Sequence, residues 1–154
     1  MIKLDPQNAQ LLLQIYDLRR EEKLRRAREW VLGNFWAETL EEFNALCPPG
    51  GQENAYYRQA TTYWETVALI VNKGMLDEDL YFESTNESLF TWLRVQKVVF
   101  EMRKHRKNPL ILRNLETLSE KHEKWLTARA PELIQEMQKM FQASRKKAME
   151  KRSS

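Results

Sequence analysis

The chain has 154 residues, enough to bury a substantial core, and its single cysteine, Cys47, excludes an internal disulfide and offers no zinc-finger spacing. Four glycines and five prolines are too few for the many turns of a sheet protein, and 31 % charged residues at helix-period apolar spacing read as all-α. The net charge of +3 hides a segregation: residues 1–50 carry 7 basic and 8 acidic side chains, residues 51–93 carry 2 and 7, and residues 94–154 carry 16 and 7, so an acidic middle precedes a basic last third.

Asp5-Pro6 is a helix start, with a side-chain acceptor at the cap and a proline at the first helical position. Apolar residues from Ala9 to Val31 then recur every three or four positions, interrupted by Arg19-Arg20-Glu21-Glu22-Lys23. That pattern fits one long helix with a solvated middle or two helices, stopping at Gly33. Trp36 to Leu46 reads as a short amphipathic helix, and Cys47-Pro48-Pro49-Gly50-Gly51 as the clearest loop. A third helix spans about Glu53 to Lys73, with Tyr57, Ala60, Trp64, Val67, Ala68 and Val71 on one stripe and Gly74 as its left-handed stop. Asp77-Glu78-Asp79 begins the next helix, where acceptors satisfy orphan N–H groups and face the positive end of the helix dipole.

After Ser84-Thr85-Asn86 a long helix carries Leu89, Phe90, Leu93, Val99 and Met102, and ends in Arg103-Lys104-His105-Arg106-Lys107. Asn108-Pro109 repeats the opening signal of Asp5-Pro6 and starts a helix through Leu110, Ile111, Leu115, Leu118, His122, Trp125 and Leu126. Ala130-Pro131 breaks or kinks it. A last helix presents Leu133, Ile134, Met137, Met140, Phe141 and Ala148, and residues 145–154 fray as a basic tail.

Residues able to do chemistry are sparse. The three acids at 77–79 lack the spacing and distal glutamate of a calcium loop, neither histidine has a glutamate three residues before it, and Glu101 and His105 share a helix face only at a basic turn. Cys47 precedes two prolines with no histidine near it in sequence, and no phosphate loop, dinucleotide fingerprint or nucleophile elbow occurs. The reading is therefore no enzyme, no cofactor and no metal. Five tryptophans, Trp30, Trp36, Trp64, Trp92 and Trp125, spread along successive helices as core anchors.

The segment from Tyr63 to Phe82 resembles a family of small bacterial helical proteins of unknown function. The likeness rests on Trp64-Glu65, Val67-Ala68-Leu69, Gly74 and Leu76-Asp77-Glu78-Asp79-Leu80, with a weaker echo in Trp92, Arg103-Lys104 and Leu115-Glu116-Thr117-Leu118. It covers roughly residues 57 to 126 and leaves the first and last helices outside. The resemblance implies a helical fold and transfers no catalytic residue; other members can carry an N-terminal membrane helix, from which this chain departs.

The whole reads as one all-α domain over residues 1–154, a bundle of five to seven helices without a sheet, cytoplasmic and without a transmembrane segment. The expected function is a non-enzymatic interaction or scaffold protein that self-associates or binds a protein partner. An alternative is weak, sequence-independent nucleic-acid binding through the basic last third, by Arg94, Lys97, Arg103, Lys104, Arg106, Lys107 and Arg113. A second is a small-molecule site between helices near Trp64 and Trp92. The basic, Met-rich last helix packs on its own bundle in preference to an anionic membrane surface.

Overall fold

The structure is a computed structural model and describes residues 4–154. All regular structure there is helical: eight helices form among the described residues, where five to seven are expected. The extra elements come from charged or polar breaks. The first helix, α1 (Pro6–Leu18), begins where Asp5 Oδ1 accepts the Gln7 N–H at 3.0 Å. The charged run at Arg19 to Lys23 offers no apolar side chain to the core, so the chain turns, and Glu21 accepts the Leu24 N–H at 2.9 Å to start α2 (Glu22–Asn34). The reading with two helices is the correct one. Arg28 holds the corner, donating to the Arg19 carbonyl at 2.6 Å and bidentately to Glu87 at 2.7 and 2.8 Å.

Residues 35–39 are not helical; Phe35 and Ala37 are buried in this extended stretch. The helix expected from Trp36 starts only at α3 (Leu40–Leu46), because the effective cap is Thr39, whose Oγ1 accepts the Glu42 N–H at 3.1 Å. The next helix, α4 (Gln52–Asn72), buries the expected stripe together with Thr61. Gly74 adopts φ +79°, a conformation that costs a side chain-bearing residue energy. Asp77 then caps α5 (Glu78–Ser84), its Oδ2 accepting the Leu80 N–H at 2.9 Å, so the acidic cluster is a helix start.

Next comes α6 (Glu87–Arg106), whose last turn places Arg103, Lys104, His105 and Arg106 at the negative helix end. Asn108-Pro109 does not open the following helix, as its likeness to Asp5-Pro6 predicts. Asn108 Oδ1 instead accepts the Leu110 N–H at 3.0 Å in a local turn, and α7 (Arg113–Arg129) begins after a left-handed Leu112. Its exposed N–H groups are met from across the bundle: Glu65 on α4 accepts from Asn114 N at 3.2 Å and Leu115 N at 2.7 Å. The last helix, α8 (Leu133–Ser153), runs through the segment expected to fray.

One core cluster draws on every helix from α1 to α7, with Val31, Phe35, Trp64, Tyr81, Val95 and Leu115 among its buried members. No α8 residue belongs to it. That helix reaches a smaller cluster only, where Ile134 meets Leu89 and Leu126. No helix of the described residues is long and apolar enough to cross a membrane.

Candidate interaction groove

The periodic apolar residues of α8 are too few to anchor it along its length; Ile134 is its only buried residue. From Phe141 onward the helix is held mainly by charge pairs and by guanidinium groups over ring faces. Arg145 grips Glu42 on α3 bidentately, Nη1 to Oε1 and Nη2 to Oε2 both at 2.9 Å, and Nη1 also donates to the Trp36 carbonyl at 2.8 Å. Such fork-to-fork pairs fix orientation as well as adding energy. The Arg145 hydrogen bond is the main reason the Glu42 carboxyl lies below the usual carboxylate range, and Glu42 reciprocally holds the Arg145 guanidinium up. Glu38 extends the acidic wall: Gln142 Nε2 donates to it at 3.2 Å, and Lys97 on α6 lies 3.2 Å away.

Aromatic contacts complete the seat. The Arg94 guanidinium lies 4.4 Å from the Phe141 ring centroid while Nε and Nη2 donate to the Leu32 carbonyl at 3.2 and 2.6 Å. That carbonyl is one of the acceptors a helix C-terminus leaves without a partner, and burial lowers the Arg94 pKa to about 10. Near the end of α8, Arg152 sits 4.7 Å over the Trp36 ring.

The seat is not filled. A cleft of about 290 Å³ lies between α8, the 35–38 stretch and α6, walled by Trp36, Glu38, Arg94 and Phe141. A second of about 620 Å³ lies between α8 and the α2–α3 surface, walled by Trp30, Trp36, Leu46 and Glu53 with Lys147 and Lys151 opposite. Trp36 borders both. The body under α8 is thus a groove with aromatic floor segments and the acids Glu38, Glu42 and Glu53 on its rim.

The basic residues singled out for nucleic acid are distributed among three settings. Arg94 and Lys97 face the α8 groove, and Arg103 is 12 % exposed, bound to Glu116 at 3.0 Å and to the Ile111 carbonyl at 2.9 Å. Arg113 pairs with the same Glu116 at 3.5 Å. Lys104, Arg106 and Lys107 remain exposed at the end of α6. Glu101 does not address His105; it accepts the Leu40 N–H at 2.7 Å and so caps α3.

The remaining candidates are mostly packed side chains. Cys47 is fully buried, and burial, with a smaller push from Glu53, raises its thiol pKa to about 12, far from a working nucleophile at neutral pH. No group of three or more His, Cys, Asp or Glu side chains among the described residues is arranged to hold a metal ion. Trp64 borders a cleft of about 130 Å³ under α1, whereas Trp92 is not among its walls and packs edge-on to Phe100. Trp64 and Trp92 are core residues; Trp30 and Trp36 are half-buried and line the groove. The groove residues Trp36, Glu38, Glu42 and Arg145 were not distinguishable by sequence pattern, because each looks like an ordinary member of an amphipathic segment. The one local signal is the basic face of the last helix.

A family model described as a domain of unknown function (DUF4760) matches residues 6–125. The chain belongs to the DUF4760 family. No curated protein and no solved structure matches it. The DUF4760 match takes in α1, which the resemblance placed outside, and ends within α7, so α8 lies beyond it while the groove walls on α2, α3 and α6 lie within it.

Proposed function

We propose that the protein is a non-enzymatic helical interaction module whose working surface is this groove, built to take a basic amphipathic helix. The observation that carries the reading is the seating of α8. A helix with one buried residue is held across acids and tryptophans by an arginine fork, with open clefts along both flanks. Charge complementarity supplies the selectivity: Glu38, Glu42 and Glu53 face Arg145, Lys147, Lys151 and Arg152. Trp30 and Trp36 supply the aromatic anchors typical of interface hot spots.

The test is a titration of a free peptide of residues 131–154 into full-length protein carrying Arg145→Glu, which sets two carboxylates against each other and opens the groove. The variant should bind the peptide at least tenfold more tightly than the wild type, whose groove its own helix occupies. Adding Glu42→Arg to that variant restores an opposite-charge pair within the chain and should return binding to the wild-type level. Absence of peptide binding by Arg145→Glu at low salt, where the charge attraction is strongest, removes the reading.

A further inference from the structure

The groove reading leaves open which helix enters when α8 leaves, and the connection to α8 points to an answer. The link from α7 is three residues, Ala130 to Glu132. Ala130 is off the helix at φ −142°, ψ 75°, and Pro131 has no N–H to donate, so no continuous helical ladder runs across it; a single turn bond, from the Leu133 N–H to the Ala130 carbonyl at 3.1 Å, spans the link. The helix is tethered to the body and is not continuous with it. The main core closes from α1 to α7 without a single α8 side chain. Every contact that seats the second half of α8 is therefore reproducible between two molecules, with Arg145 of one copy on Glu42 of another.

We infer that the groove's exchange partner is α8 of a second copy of this chain, giving a reciprocal dimer in which each helix crosses to the other molecule. The inference rests on the proposed reading that the groove takes an α8-like helix. Exchange replaces an intramolecular dock by an identical intermolecular one, so it adds no new contact energy and is opposed by the effective concentration of a tethered helix, on the order of millimolar for a short flexible link. The wild type is accordingly mostly monomeric at micromolar concentration and exchanges near millimolar. Where the dock within each copy is broken but the dock between copies is intact, dimers form at far lower concentration.

Two single variants create that situation. Glu42→Arg has a reversed groove and a normal helix; Arg145→Glu has a normal groove and a reversed helix. Each clashes with itself. Mixed together, the normal helix of the first matches the normal groove of the second, and the reversed helix matches the reversed groove. Light scattering on the equimolar mixture should show dimers at concentrations at least tenfold below those at which either variant alone or the wild type dimerises. A mixture that stays as monomeric as its components overturns the exchange. Binding of the free 131–154 peptide to Arg145→Glu in the same preparation would show that the groove reading survives that result, and its failure that both fall.

Far-UV circular dichroism and melting of each variant establish that it is folded. If either is not, isotopically labelled and unlabelled wild-type copies are mixed near millimolar concentration, fixed there by lysine–carboxylate cross-linking between the last helix and the groove, and only then diluted and read by mass spectrometry. Mixed-label dimers support the exchange, and their absence overturns it.

Discussion

His122 is 0 % exposed, stacked at 4.4 Å on Phe82 and edge-on to Tyr81 and Trp125, and neither ring nitrogen has a hydrogen-bond partner within the protein. A cation is disfavoured in such surroundings, and burial lowers its pKa to about 4 from an ordinary 6.5. Between those values the unfolded chain binds a proton the folded one refuses, so stability is full above pH 6.5 and falls as pH drops toward 4. The shift corresponds to about 3 kcal/mol at the acid end. Carboxylates such as Glu42 add their own acid sensitivity, so the comparison must be between variants. His122→Leu should match or exceed wild-type stability at pH 7.5, since it removes two unpaired buried polar atoms. Its stability should also fall less than the wild type's from pH 6.5 to 4. Urea midpoints at the two pH values decide; parallel losses in both proteins would remove His122 as the cause.

Among elements, helix starts divide into those with a local cap and those capped from afar. Asp5, Thr39 and Asp77 each bond an N–H two or three residues ahead, which a sequence can show. The start of α7 has no such signal, because its acceptor is Glu65 on α4, and Asn72 on the same helix donates to the Asn114 carbonyl at 3.0 Å. Asn108-Pro109 looked like the start only because the true cap lies 49 residues away. Glu65→Ala strips two α7 backbone donors of their acceptor and should cost about 1–3 kcal/mol in urea unfolding, with Glu65→Gln recovering part through its remaining carbonyl oxygen. A loss under about 0.5 kcal/mol for Glu65→Ala, the size of an ordinary surface substitution, would mean water serves α7 equally well. The same distinction limits what was legible in the groove. The α4 stripe and the Gly74 stop follow from periodicity and φ. The Arg145–Glu42 fork joins residues 103 apart, and no pattern within the last helix names its partner.

For the whole molecule, the segregated charge invites a basic last third laid on the acidic middle. The structure mostly does something else: α8 meets Glu38 and Glu42 from the first fifty residues, and of the acids in the middle segment Glu53 alone borders its clefts. The result is a body with two kinds of cohesion. From α1 to α7 it is apolar and shared, so its amides should open together in the largest unfolding events. Over Phe141 to Ser153 it is ionic and local, so that segment should open on its own, well below the global free energy. Hydrogen exchange should therefore show the α8 amides after Phe141 less protected than those of α4, α6 and the middle of α7. Raising the ionic strength to 1 M shortens the screening length to about 3 Å and should lower protection in that segment further, severalfold, while leaving α4 unchanged. Glu42 and Arg145 are only 13 % and 22 % exposed, so the salt effect should be partial. Equal protection of α8 and α4, insensitive to salt, would mean that the last helix is an integral part of the core and that the groove beneath it is never open.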